Sequence, residues 1–136
     1  MVKRTVMVVD DAMLVRRVVK NMVSRSPHLE VIAEAVNGQD ALEKLREHDP
    51  DLVLLDIEMP IMDGLEFLRR ARTRSRAKVV VLSSVATSGS PKAARARLLG
   101  ADAVIAKPSG AVSLDLESLR GNLVMKTIYR LLEIPA

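Results

Sequence analysis

The sequence contains no cysteine and no tryptophan, and its aromatic side chains are limited to Phe67 and Tyr129. Without cysteine there is neither a disulfide framework nor a thiolate metal site, which fits a reducing compartment. With so few aromatic rings, a base-stacking platform for single-stranded nucleic acid has almost nothing to be built from. Long apolar runs are also missing. The run Val6 to Val9 ends at Asp10 and Asp11, too short for a signal-peptide core and far short of the roughly 20 residues of a membrane span. Neither G-x-G-x-x-G nor G-x-x-x-x-G-K-[ST] occurs, so nucleotide binding has no support. These absences predict a cytoplasmic chain with no membrane partner.

What is present suits one self-supporting core. The 136 residues are 49% hydrophobic and 28% charged, as expected of a single domain spanning residues 1–136. The formal net charge of +4 raises nucleic-acid binding as a hypothesis, for which salt-dependent binding to DNA is the discriminator. The densest basic stretch is Arg69, Arg70, Arg72, Arg74, Arg76 and Lys78. It reads as a helix end and the loop after it, a solvated face that contacts no nucleic acid directly.

Apolar runs bounded by turn residues alternate with helical periodicity, the pattern of a parallel sheet with crossover helices. Val6 to Val9, Val31 to Val36, Leu52 to Leu55, Val79 to Leu82 and Ala103 to Ala106 read as five strands. Between them, Leu14 to Val23 carries one broad apolar stripe, and Asn37 caps a helix holding Ala41, Leu42 and Leu45. Leu65, Leu68 and Ala71 mark a third helix, and Ser90 with Pro91 starts an Ala-rich fourth that stops at Gly100. Leu123, Ile128, Leu131 and Leu132 supply a last helix. Gly110 and Gly121 interrupt its approach, so residues 109–122 read as a linker, an early helical turn, or both. The fold class is α/β: a flavodoxin-like, doubly wound sheet of five parallel strands in the order 2-1-3-4-5, with helices on both faces.

In such a sheet, ligands bind beyond the C-terminal strand ends, and the acids of this chain lie there. Asp10 and Asp11 follow the first strand and Asp56 follows the third. In the order 2-1-3-4-5 these strands are neighbours, so three carboxylates converge and need compensating charge. A divalent cation and a nearby Lys supply it, and oxygen-only ligands favour Mg²⁺ over zinc. Ser83 after the fourth strand and Lys107 after the fifth end at the same edge, where both can face a phosphoryl group on Asp56. His28 and His48 have no matched second ligand and read as surface residues, and the methionines as core or loop filling.

The pair Asp10-Asp11, the run Leu55-Asp56-Ile57-Glu58-Met59-Pro60, the turn Met62-Asp63-Gly64, Ser83-Ser84 and Lys107-Pro108 together resemble a CheY-like response-regulator receiver domain. The resemblance runs through nearly the whole chain. Within that family, Gly64 to Arg70 and Lys107-Pro108-Ser109-Gly110 are most similar to the receiver half of the chemotaxis methylesterase CheB. In that subfamily the esterase occupies a further C-terminal domain. Nothing after Pro135 encodes one, so an excised or stand-alone receiver without a methylesterase catalytic domain is expected.

The resemblance implies that Asp56 is phosphorylated by a histidine kinase or its phosphotransfer domain. It further implies that Asp11, Asp56 and the main-chain carbonyl of Glu58 hold Mg²⁺ with support from Asp10, while Ser83 and Lys107 answer the new charge. Output is then directed to a downstream protein or to an absent C-terminal effector, or to a phosphorylation-linked dimer, through a face formed by the fourth helix, fifth strand and last helix. Two positions depart from the family pattern. Val104 stands where many receivers carry a rotating aromatic ring, so an aromatic relay is not expected. Val85 replaces a polar residue, and its apolar side chain is expected to hinder water; an unchanged phosphoryl lifetime in Val85→Glu would contradict this.

Two other function classes use similar residues. A small Mg²⁺-dependent phosphatase with an aspartate nucleophile, of the haloacid-dehalogenase type, places Asp-x-Asp after its first strand, whereas here the acids are adjacent; turnover of a phosphomonoester would favour it. A degenerate receiver acting as a binding module would accept no phosphoryl group at all.

Overall fold

The computed structural model describes residues 2–83, 90–106 and 119–135. Its strands are β1 (Arg4–Val9), β2 (Leu29–Ala35), β3 (Leu52–Leu55), β4 (Lys78–Ser83) and β5 (Ala103–Ala106). Helices α1 (Met13–Ser24), α2 (Gly38–His48), α3 (Gly64–Ala71), α4 (Pro91–Leu98) and α5 (Leu119–Leu131) alternate with or follow them. All strand pairs are parallel, in the order β2-β1-β3-β4-β5. The expected architecture is therefore the observed one.

Side-chain alternation divides the sheet between two apolar layers. Val6, Val8, Leu52, Leu54, Val80 and Leu82 meet α1 and α5 through Val19, Val23, Val124 and Ile128. Met7, Val9, Val53, Leu55, Val79 and Val81 meet the opposite helices through Ala41, Leu45, Phe67, Leu68 and Ala96. Every residue of β3 is buried, as its position at the centre of the sheet requires.

The strand boundaries differ from the sequence reading where polar residues pair. Arg4 and Thr5 lengthen β1 by pairing with Leu29 and Glu30, so β2 also starts earlier than expected. Thr5 and Asp51 then clasp β1 to β3: the Thr5 amide donates to Asp51 Oδ2 at 2.7 Å, and the Asp51 amide donates to Thr5 Oγ1 at 3.0 Å. The β1–β2 register shifts after Val6, which pairs with Val31 while Met7 pairs with Ala33, so Ile32 is a bulge in this edge strand. Residues 119–122 are already helical, with Gly121 inside α5, whereas residues 109–118 lie outside the described residues.

Side-chain caps start three of the helices. Asn37 Oδ1 accepts from the Asp40 amide at 2.8 Å, Asp63 Oδ1 from the Glu66 amide at 2.9 Å, and Ser90 Oγ from the Ala93 amide at 3.0 Å. Asp49 ends α2 in the left-handed conformation, with φ of 46°, ahead of Pro50.

Two surface expectations need correction. Arg72 is not part of a solvated basic face: its guanidinium donates to Ala77 O at 2.7 Å and Gly100 O at 3.2 Å, tying the end of α3 to the entry of β4 and the turn after α4. His28 packs edge-on against Tyr129, with ring centroids 5.9 Å apart, so it is a half-buried member of the α5 contact. Tyr129 also shares a hydrogen bond with Ser26.

Glu66 accepts from Arg69 Nε at 3.0 Å and Arg70 Nε at 2.7 Å. The Arg69 hydrogen bond, followed by that of Arg70, holds its pKa at about 2, below the ordinary 4.5. Glu34 is lowered too, chiefly by its hydrogen bond from Lys20 against an opposing effect of burial. A depressed folded-state pKa stabilises above the unfolded pKa and loses that stabilisation as pH falls through the folded value. Glu66→Gln should therefore reduce the loss of stability between about pH 4.5 and pH 2, measured by urea denaturation across that window. The change is small because the group is exposed and solvent screens it. An identical pH dependence in the variant would contradict the assignment.

Candidate acidic site at the C-terminal sheet edge

Val9 of β1 pairs with Leu55 of β3, so Asp10 and Asp56 leave the sheet side by side. Backbone hydrogen bonds fix both exits: the Asp56 amide donates to Val9 O at 2.9 Å, and the Asp10 amide to Ala35 O at 3.1 Å. Ligand oxygens of Asp10, Asp11 and Asp56 lie within 4.8 Å of one another. Asp10 and Asp56 are only 3% and 5% exposed, whereas Asp11 is open to solvent. One oxygen of Asp10 accepts from the Ala12 amide at 2.9 Å, which binds the acid to the start of α1.

This donor set suits a hard divalent cation. It is made of carboxylate oxygens, with no His or Cys in the cluster, and its converging negative charges at a low-dielectric edge favour a compensating ion. Magnesium is held in this way by one or two carboxylates together with water and phosphate oxygens, and the exposure of Asp11 leaves the site open to all of these.

The loop after β3 runs on from Asp56. Glu58 directs its side chain outward into an ion pair with Lys92 of α4. Ile61 adopts a left-handed backbone with φ of 69°, and the Gly64 amide closes the loop by donating to Ile57 O at 2.8 Å. A Cβ at Gly64 would stand 2.2 Å from Asp56 O, so glycine is required for this approach. At the other side, the Gly38 amide donates to Met62 O at 2.7 Å, where a Cβ would meet the same oxygen at 2.7 Å.

The structure brings Asp10, Asp11 and Asp56 together as the sequence suggested. Ser83 is fully buried at the end of β4 and pairs in register with Ala106, the last residue of β5. Lys107, Ser84 and Val85 lie outside the described residues. Val104 is half-buried against the α2–α4 layer, so the second residue of β5 offers packing and no aromatic ring. The contributions of Gly38 and Gly64 escaped the sequence reading. The Asp63-Gly64 pair signalled a turn, but nothing local showed that the turn presses on the peptide of Asp56.

Comparisons with known proteins agree with this architecture. The family model described as the response regulator receiver domain matches residues 6–117. A protein-glutamate methylesterase/protein-glutamine glutaminase from Syntrophomonas wolfei is 42% identical over 126 residues, covering 93% of this chain and 36% of the relative. A similar relative from Halalkalibacterium halodurans is 44% identical over 121 residues, or 89% of this chain and 35% of the relative. The chain thus spans about a third of the length of these curated relatives.

Among solved structures, the response regulator domain of Thermotoga maritima CheB superposes with a TM-score of 0.85 at 33% identity, covering 92% of this chain and 93% of that one. A chain from the complex of the P1 domain of CheA3 with CheY6 from R. sphaeroides is 51% identical, with a TM-score of 0.72, covering 93% of this chain and 98% of that one. The chain belongs to the response regulator receiver domain family and is homologous to the CheB- and CheY-type domains of two-component chemotaxis signalling.

Proposed function

We propose that the chain accepts a phosphoryl group on Asp56 from the phosphohistidine of a histidine kinase or its phosphotransfer domain, and converts the added charge into a change at a partner-binding surface. The observation that carries this reading is the convergence of Asp10, Asp11 and the nearly buried Asp56 at the C-terminal edge of β1 and β3. A carboxylate is a competent nucleophile toward phosphorus when it is aligned and the charge on the transferring group is neutralised. Receiver domains generally bind magnesium at an acidic pocket of this kind, and Asp10, Asp11, Asp56 and the main-chain carbonyl of Glu58 would hold it here. Bound there, magnesium neutralises charge on the phosphoryl oxygens.

The remaining work belongs to the chain. A carboxylate oxygen of Asp56 forms the new O–P bond while the N–P bond to the donor imidazole breaks, and the imidazole regains a proton. Burial of Asp56 limits access to its carboxylate, and the Asp56–Val9 backbone hydrogen bond fixes the acid against the sheet. Ser83 at the end of β4 and Lys107, next in sequence after β5, supply a hydroxyl and an ammonium to the product oxygens. The acyl phosphate carries roughly two negative charges, and its pull on these groups favours one conformation of their loops over another.

The complex of the P1 domain of CheA3 with CheY6 supports a kinase phosphotransfer domain as the donor. Output is a protein contact, made with a C-terminal effector domain of the CheB type or with a separate target through α4, β5 and α5. In the test, acetyl phosphate with magnesium should add one phosphoryl mass to the folded chain as a base-labile adduct, and chelation of magnesium should prevent it. Absence of the adduct with both acetyl phosphate and a phosphohistidine donor would overturn the reading, as would steady turnover of a phosphomonoester.

A further inference from the structure

Asp11 is the exposed member of the acidic cluster, and its side chain makes no hydrogen bond or ion pair among the described residues. Its carboxylate is therefore placed by the backbone alone. The peptide that joins Asp10 to Asp11 lies past the end of β1 and before the first turn of α1, and Arg16 of that helix reaches back to hold it. Its guanidinium Nη1 donates to the main-chain carbonyl of Asp10 at 2.8 Å, and the Arg16 amide donates to Ala12 O at 3.0 Å.

The guanidinium is itself oriented. Arg16 Nε donates to Glu34 Oε1 at 3.2 Å, and Glu34 Oε2 accepts from Lys20 Nζ at 2.7 Å. Lys44 of α2 donates to the main-chain carbonyl of Glu34, so the acid is held from α1 and α2 together. The Arg16 side chain is 13% exposed, whereas its neighbour Arg17 is open to solvent. Burying an arginine this deeply is economical only when its donors are used, and here they connect β2 to the corner that carries the acids.

We infer that Arg16 is a positioning residue for the divalent cation, acting through the Asp10 carbonyl to aim Asp11, with Glu34 as the residue that orients Arg16. The inference rests on the proposed magnesium site. It makes a prediction of opposite sign to simple charge. A nearby guanidinium repels a divalent cation, so loss of Arg16 by electrostatics alone tightens magnesium binding. Loss of a group that orients a ligand weakens it, typically tenfold or more.

The test is magnesium titration by isothermal calorimetry on the folded full chain, without any phosphodonor, for Arg16→Ala, Arg16→Lys, Arg17→Ala and Asp11→Asn. Arg16→Ala should raise the magnesium Kd roughly tenfold. Arg16→Lys, which keeps one donor for the carbonyl, should recover part of that loss, and Arg17→Ala, which removes the same charge from the same helix, should leave the Kd unchanged or lower. Glu34→Gln retains an acceptor for Arg16 Nε and should bind more tightly than Glu34→Ala, which keeps the comparison available if Arg16→Ala fails to fold. Equal or tighter binding by Arg16→Ala, with Asp11→Asn weakened, overturns the positioning role while leaving the site intact. No saturable binding by the unmodified chain overturns the site and the inference together.

Discussion

Replacing Gly64 by alanine is expected to lower the unfolding free energy by about 1–3 kcal/mol and to slow phosphoryl loading of the molecules that remain folded. The added Cβ would lie 2.2 Å from Asp56 O and 2.9 Å from Ile57 Cα. Both are backbone atoms, so no flexible side chain can turn aside. The Gly64 amide is meanwhile tied to Ile57 O at 2.8 Å, and the loop cannot relax outward without losing that bond. Movement must then be taken up at the Asp56–Ile57 peptide, directly behind the proposed phosphoacceptor. Urea denaturation gives the folded fraction, and the time course of labelling by acetyl phosphate gives the rate per folded molecule. An unchanged rate would contradict the proposed coupling between this turn and the acid. Gly38, whose Cβ would stand 2.7 Å from Met62 O, restrains the same loop from α2, so the β3–α3 connection is held at both sides by close backbone approach.

The second large effect concerns the core beneath the loop. Phe67 is fully buried and packs in the same cluster as Leu55 and Ile57, which flank Asp56. Truncation to alanine removes a ring from a layer otherwise built of aliphatic side chains and leaves a cavity that neighbours fill only in part. Phe67→Ala should cost about 3–5 kcal/mol, a large share of the roughly 5–15 kcal/mol that holds a domain folded. Phe67→Leu should cost less because much of the volume is retained. Circular dichroism in urea measures both, and a loss below about 1 kcal/mol in the alanine variant would show that the layer collapses around the gap.

Which features were legible in the sequence follows from how local their causes are. β3 was legible because Leu52 to Leu55 is an uninterrupted apolar run between turn residues, as a strand covered on both faces must be. The acidic site followed from it, since acids immediately after the first and third strands meet whenever those strands are neighbours. Asn37 and Ser90 carried their capping roles in their residue types. In contrast, Arg4 and Thr5 extend β1 only because β2 lies alongside, and Thr5 earns its place through a contact with Asp51, the residue just before β3.

The same limit applies to the basic residues. Arg69, Arg70 and Arg72 are near neighbours in one charged stretch, yet the first two bond Glu66 on the helix surface while Arg72 turns inward to carbonyls of Ala77 and Gly100. Their difference is set by which side of α3 faces the turn after α4. Arg16 and Arg17 are separated in the same way, by a helical rotation that sends one toward Asp10 and the other into solvent.

The most direct test of the account is chemical mapping of the phosphoryl adduct. After incubation with acetyl phosphate and magnesium, borohydride reduces an aspartyl phosphate to the corresponding alcohol, leaving a stable mark that peptide mass spectrometry can place. Homoserine is expected at position 56, dependent on magnesium and absent from Asp56→Asn. A mark at Asp10 or Asp11 in the unmodified chain, or none in folded protein at excess magnesium, would contradict it.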